Sequence, residues 1–433
     1  MTTRRSFLAG AGAVAVTGLA GCGALDGPRG EDTPSIDSSE FQDGLPPLPT
    51  TAAPLPITIP ASLVDPHRRR ARELVESVPA DPSIPNGVVA REIDRDQDRV
   101  QQRLESGSDA TFEIDVLRDW RHTRGNAANL LGSYRAATGN DDGEAVSERR
   151  TAVREDLGAF TADLEYRASD PVEAVLVYAT LENLLEDVRR QARPERPYPE
   201  SPIDAVEQAG RAVEETEDAE SSLADARAIH QQYLDRRDTT ESQWSTLIEG
   251  TRVLSIATDT TRQTLDGYQE YEAETVFDRD VGRVAARLFR DASRRVQSGE
   301  GAIGEYRRRG DGAFASALLE AGRDLAAMAV YRSVYRAIED DDVNEDVTAS
   351  SIRSSAADAR SAIAALEEAD YPHLSVAIAR AGMGGYDDAR RSLDERYFDA
   401  EDAEASLRYA TMYARVAPEA ATYLVERLRT VTE

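Results

Sequence analysis

The chain of 433 residues carries 80 acidic and 51 basic side chains, a formal net charge of −29. That balance excludes general nucleic-acid binding, which runs on cationic surface. There is no lysine, so every fixed cation is arginine, and the single cysteine, Cys22, excludes an intramolecular disulfide, a cysteine-based zinc site and a CxxC redox pair.

The chain opens with a paired-arginine head, Thr3-Arg4-Arg5-Ser6-Phe7-Leu8, followed by an apolar run to Ala20. About 13 residues at ~1.5 Å rise span roughly 20 Å, short of a ~30 Å hydrocarbon core. A basic head, a short apolar middle and a small-residue end describe an export signal rather than a membrane helix. The pattern resembles a twin-arginine (Tat) signal, carried by Arg4, Arg5, Phe7 and Leu8; Ala9 stands where a lysine is common. Leu19-Ala20-Gly21-Cys22 resembles a lipobox, which implies cleavage before Cys22 and a lipid on its thiol. Acidic, lysine-free and poor in large aromatics, the whole chain also resembles haloarchaeal proteins in composition. Molar salt shortens the screening length to roughly 3 Å and relieves the self-repulsion of such a charge. Together these resemblances imply export by the Tat translocase and lipid anchoring at the outer face of the cytoplasmic membrane of a halophile.

Residues 23–61 are rich in Pro, Ser, Thr, Asp and Gly and lack apolar periodicity. They are expected to form a disordered tether, stiffened toward polyproline in its second half, spanning between roughly 35 Å as a coil and roughly 130 Å fully stretched. From Pro66 the pattern is helical, with Asp65-Pro66 expected to cap and open a helix over 66–78. Further helices are expected over 86–105, 111–137 and 144–167. Asp170-Pro171 then opens the least polar helix (VEAVLVYATLENLLEDV), which has little polar face and is the candidate for a surrounded, central position. The stretch 193–202 holds four prolines and cannot be helical. It is the expected boundary between a helical bundle region at 62–192 and a second helical region at 202–433, with a long loop inside one domain, the second region being repeat-like and continuous with the first, as the other reading.

Beyond it, helices are expected over 203–236, 241–272, 278–297, 312–338 and 348–368, then several shorter ones to 431. The helix from Gly312 places Phe314, Leu318, Ala321, Leu325 and Met328 on one side. Alternating runs with hairpin turns are nearly absent. The fold class is therefore all-α, an irregular bundle or stacked helical hairpins after a disordered tether. Residues 377–393 resemble half of a tetratricopeptide unit, with Gly385-Tyr386 and Ala389 placed as in its turn and second helix. No companion stands at a spacing of about 34. An irregular stack is expected in place of a repeat array.

Motifs for chemistry are scarce. His67, His122, His230 and His373 are scattered, none in an HExxH or Glu-x-x-His setting, and Asp119-x-x-His122 beside Trp120 is the nearest approach. The G-x-H-x-x-E motif of imelysin-like proteins is absent. Glu182 and Glu186 share a helix face at i, i+4 and are read as an exposed edge. Gly382-Met383-Gly384-Gly385 is read as a helix–helix turn. No nucleophile elbow, Walker loop or dinucleotide fingerprint is present. The basic clusters His67–Arg70 with Arg72, and Arg307–Arg309, read as solvated faces paired with acidic neighbours; contact between the first and anionic head groups is the alternative. Tyr331/Tyr335 and Tyr409/Tyr413 are i, i+4 pairs expected to line helix contacts, with a carbohydrate or peptide platform as the other reading.

These readings give no catalytic residue, no metal and no cofactor, which argues against an enzyme. The expected partners are membrane lipid through Cys22, the Tat translocase during export and a protein of unknown identity. The favoured function is a helical interaction or scaffold module at the cell surface. A ligand-binding lipoprotein with a helical pocket, or an extracytoplasmic enzyme with no recognisable motif, are the alternatives. A deep pocket with converging polar groups would point to binding or catalysis, and a solid convex bundle to scaffolding.

Overall fold

A computed structural model describes residues 41, 44–49, 51–193, 195, 197–299, 312–393 and 399–432. Arg4, Arg5, Phe7, Leu8, Leu19, Ala20, Gly21 and Cys22 lie outside the described residues, as does the Arg307–Arg309 cluster. Among those described, the fold is all-α: thirteen helices and one antiparallel pair of two-residue strands. The helices are α1 (Ala61–Glu76), α2 (Gly87–Ser106), α3 (Glu113–Thr138), α4 (Gly143–Ala162), α5 (Pro171–Gln191), α6 (Val206–Asp235), α7 (Trp244–Arg262), α8 (Ala273–Phe277), α9 (Arg283–Gly299), α10 (Phe314–Glu339), α11 (Ala349–Ala364), α12 (Pro372–Ser392) and α13 (Ala400–Thr432). The strands β1 (Arg167–Ala168) and β2 (Glu241–Ser242) pair Arg167 with Ser242 and Ala168 with Glu241.

α5 occupies the central position its composition predicts. Asp170 caps it by accepting from the amides of Val172 and Glu173, and Pro171 supplies the first helical turn. Its side chains from Ala174 to Leu185 are almost all buried, between α6 on one side and α10 on the other. α3 packs on α1, α2 and α6, while α13 packs on α7, α9, α10, α11 and α12. One apolar core runs through both groups, from Leu117, Leu223 and Tyr233 across α5 to Leu318, Tyr331 and Leu424. Smaller cores lie between α1, α2 and α3 and between α11, α12 and α13.

α6 carries the acidic run Glu214-Glu215-Thr216-Glu217-Asp218, yet much of that face is buried. Arginines from three other helices make burial feasible. Glu217 pairs with Arg70, Arg124 and Arg149; Glu215 pairs with Arg150; Asp225 pairs with Arg121 and lies 2.9 Å from His67 Nε2. The guanidinium fork can donate to several carboxylate oxygens at once, which an isolated ammonium does less well. The 67–72 cluster is thus divided: Arg68, Arg69 and Arg72 are exposed, whereas His67 is buried in the interface with α6.

Several expectations need correction. Residues 44–49 and 51–60 are not a free tether: they lie extended across the body, with Leu45, Leu55, Ile57 and Ile59 buried. Leu55, Ile57 and Ile59 bury alternate side chains, and Pro56 between the first two needs no amide partner. Their carbonyls are met by side chains: Tyr386 donates to Pro46, Arg360 to Pro47, Gln232 to Thr58 and Arg237 to Pro56. α1 begins at Ala61, with Asp65-Pro66 inside it. The region 241–272 is not one helix, because α7 stops at Arg262 and Gly267 turns the chain at a φ of 68°. The final segment forms two long helices in place of several short ones. Tyr331, Tyr409 and Tyr413 are buried, so they line helix contacts and offer no surface platform.

The Gly382–Gly385 stretch is no turn: α12 runs straight through it, which removes the tetratricopeptide-like reading. Two of these glycines, Gly382 and Gly385, serve close packing. A Cβ on Gly382 would sit 2.4 Å from Tyr413 Cβ, while one on Gly384 would meet nothing within 4 Å. Gly382→Ala should therefore destabilise the fold by about 1–3 kcal/mol through overpacking, whereas Gly384→Ala should stabilise it by about 0.5–1 kcal/mol through helix propensity. Urea midpoints of the two variants check this; a destabilising Gly384→Ala would restore the turn.

Candidate functional site

The chain leaves α4 at Ala162 and reverses through Tyr166, whose φ of 52° is in the left-handed region that few aromatic residues adopt. The strand pair holds this conformation: the Gln243 amide donates to the Tyr166 carbonyl at 2.9 Å, and Ser242 Oγ donates to the Glu165 carbonyl at 3.2 Å. Tyr166 is wedged between Tyr178, with ring centroids 4.6 Å apart and stacked, and Trp244, at 4.8 Å and 52°. Phe314 meets the other side of Trp244 edge-on at 5.1 Å.

This row of rings borders a cleft of about 580 Å³, lined by Thr161, Leu164, Glu165, Tyr166, Glu182, Leu185, Arg189, Ser242, Trp244 and Ala313. That volume falls in the range of small-molecule sites, roughly 300–1,000 Å³. Glu182 is its most enclosed charged group, at 5% exposure. Its reading as an exposed helix edge is overturned. α10 has Ala313 at its N-cap and no side-chain cap of its own, so its first amides need acceptors. Glu182 supplies them from α5: Oε1 accepts from the Ala315 amide at 3.1 Å and Oε2 from the Ser316 amide at 2.6 Å. Tyr166 Oη lies 3.1 Å from Glu182 Oε1 and 3.2 Å from the Gly312 carbonyl. Burial pushes the Glu182 carboxyl up to about 7, with the bonds from Ser316, Ala315 and Tyr166 offsetting only part of that cost.

Two other carboxyls share this behaviour. Burial and the charge of Glu214 push Asp218 up to about 7 against the pull of Arg121 and Arg124. Burial and Glu320 do the same to Asp324, which accepts from Arg262 Nη2 at 3.2 Å. Glu217 goes the other way: burial opposes it, but Arg124 and Arg149 prevail and hold it at about 2.

A second cavity, of about 490 Å³, lies under the extended N-terminal segment, between Pro56, the start of α5, the start of α12 and the end of α13. At its side Arg237 grips Glu173, which also accepts from Tyr233 at 2.8 Å. The sequence histidines do not gather. His67 is in the α6 interface, His122 is exposed, His230 packs edge-on against Phe160, and His373 Nδ1 lies 2.6 Å from the Ala53 carbonyl. Among the described residues, no group of three or more His, Cys, Asp or Glu could hold a metal.

Tyr166 and Trp244 were not singled out from sequence. Glu182 carried a readable signal: it is a charge between Leu181 and Leu184 in a helix with almost no polar face.

Residues 62–239 match a family model described as Domain of unknown function (DUF8262), and residues 244–426 match one described as Domain of unknown function (DUF8264). The break between the matched regions thus falls at the β2–α7 junction, and the proline-rich 193–202 stretch of the sequence lies inside the first matched region. Neither a curated protein nor a solved structure matches the chain. The cleft sits on the seam: Tyr166, Glu182 and Arg189 come from the first region, Trp244 and Ala313 from the second.

The raised carboxyl makes stability depend on pH. A folded chain that binds a proton at about 7, against 4.5 for an ordinary glutamate, has this contribution in full below 4.5 and loses it as pH rises through 7. The loss from Glu182 alone is roughly 3 kcal/mol. Glu182→Gln should remove that slope, gaining stability relative to the parent chain as pH rises. Urea unfolding of both proteins below and above this window checks it, and parallel pH profiles would contradict it.

Proposed function

We propose that the protein is exported by the Tat translocase, held by lipid on Cys22 at the outer face of the cytoplasmic membrane, and binds a small ligand in the cleft on the seam. The paired arginines, the lipobox and the halophile-like composition support the address. No helix among the described residues is long and apolar enough to cross a membrane. The observation that carries the binding role is the cleft itself, an aromatic-walled space of about 580 Å³ with a buried carboxyl in its lining. Sites of this kind favour junctions between units of a fold. Binding is preferred to catalysis because the described lining offers no histidine or cysteine beside Glu182.

A second reading, an interaction or scaffold module, draws on α7, where Trp244, Ile248 and Ile256 are 39%, 37% and 57% exposed. Crosslinking at the cell surface in native salt would identify a protein seated on that face.

Two substitutions test the address. Cys22→Ser should release the protein or leave its precursor uncut, and unchanged processing with membrane retention would contradict lipidation. Replacing Arg4-Arg5 by Lys-Lys should trap precursor inside the cell, whereas normal export would remove the Tat assignment. The binding role is tested by titrating the purified chain with a panel of amines, carboxylates, sugars and peptides, read by tryptophan fluorescence. At least one should bind, and lose that binding in Trp244→Leu. A panel without such a compound would contradict the role.

A further inference from the structure

We infer that the cavity of about 490 Å³ under the extended N-terminal segment is a second binding site, one that takes the uncharged hydrocarbon chain of a small molecule. It is separate from the cleft on the seam and does not depend on the role proposed there. Three elements far apart in sequence supply its apolar surface: Val172 and Leu176 from α5, Leu374 from α12 and Val425 from α13. Leu176, Leu374 and Val425 are themselves buried, so the floor is firmly packed, while Val172 is half-buried at its edge. The volume lies in the range of small-molecule sites, roughly 300–1,000 Å³, whose walls are mostly apolar.

The polar groups of the wall decide the chemical class. Asp170 directs its carboxylate to the amides of Val172 and Glu173, at 2.8 and 3.0 Å. Glu173 accepts from Arg237 at 2.6 Å and from Tyr233 at 2.8 Å. His373 Nδ1 lies 2.6 Å from the Ala53 carbonyl. The remaining charges of the lining, Asp370 and Arg429, are exposed and opposite in sign, and Arg429 lies over the Tyr371 ring at 5.8 Å. An ion entering this space would give up its water to meet groups that are already engaged, which is costly. An apolar chain loses only its hydration shell, and that loss is the favourable process.

The extended segment contributes a wall of its own. Pro56 borders the cavity, its carbonyl accepts from Arg237 Nη2 at 3.3 Å, and Leu55 and Ile57 on either side of it are buried in the main core. Pro56 is thereby held in place before any chain enters, and a site already in shape loses less of its interaction energy to ordering. Molar salt screens ion pairs but does not weaken apolar burial, so recognition of this kind is suited to concentrated salt.

The test is calorimetry on the full chain in molar salt with straight 1-alkanols from butanol to decanol. Affinity should rise about fourfold with each methylene and level off once the cavity is full. Val172→Phe, which fills the space, should cost the longer alcohols roughly tenfold or more. Val172→Ala, which enlarges the space and keeps the test open should the first variant fail to fold, should move the plateau to a longer chain. Trp244→Leu should leave the series unchanged; loss of binding there would place the alcohols in the seam cleft and overturn the inference. A flat series, or a series and plateau that neither Val172 variant alters, would also overturn it. So would decanoate or decylammonium binding more than about tenfold more tightly than decanol, since the site would then recognise charge. A free molecule and the tail of a lipid share this chemistry. Flotation with phosphatidylcholine vesicles that Val172→Phe abolishes would mark a lipid tail as the occupant, and alcohol binding without such flotation a free molecule.

Discussion

A carboxylate reaching out of one helix to the bare amides that begin another is the contact on which this architecture turns. α10 starts without a cap of its own, and the acceptor it needs comes from Glu182 on α5. A negative group at the positive end of a helix dipole is favourable, but taking it out of water is costly, and here the second effect is the larger. The consequence is geometric as well as energetic. Glu182 registers α5 against α10, Tyr166 is held between Glu182 and Trp244, and the space between these groups is the cleft. Fold and site therefore share one set of contacts.

The same economy governs the acidic interior. A chain with a net charge of −29 would ordinarily keep its carboxylates on the surface. α6 instead buries part of its acidic face against arginines from α1, α3 and α4. Where a carboxylate has several guanidinium partners, as Glu217 has, its charge is stabilised; where like charges crowd it, as at Asp218 and Asp324, it holds its proton longer. Burial raises all three carboxyls, and the number and sign of the neighbours decide whether that rise is overcome, as at Glu217, or reinforced, as at Asp218 and Asp324. Breaking a pair of this kind leaves a buried charge uncompensated, which is why such networks resist single substitutions poorly.

Much of the fold was legible in periodicity and caps. The Asp170-Pro171 start, the apolar sweep of α5 and the stripe of Leu318, Ala321 and Met328 each predicted an element that exists, because local propensity and burial agree there. The misreadings have particular causes. Prolines in 51–60 concealed the alternation of Leu55, Ile57 and Ile59, since extended chain without a ladder partner has no hairpin signature. Glycines at 382–385 suggested a turn, but a helix packed tightly on Tyr413 needs a glycine at 382. Glu182 was placed at the surface because its partners, Ala315 and Ser316, lie far along the chain and bond through backbone amides that no motif records. Trp244 and Tyr166 become neighbours through a strand pair of only two residues, too short to leave a pattern.

The two family matches divide the chain at the point where Trp244 opens α7, yet the apolar core and the Glu182 contact cross that division. The binding role assigned to the seam depends on Glu182 being an enclosed carboxyl that retains its proton to near neutrality. Its titration can be followed directly from the infrared difference between the parent chain and Glu182→Gln, in which the carboxyl band of this one side chain is isolated. A midpoint near 7 is the expected result, and one near the ordinary 4.5 would mean that Glu182 is solvated and that the site does not have the form described.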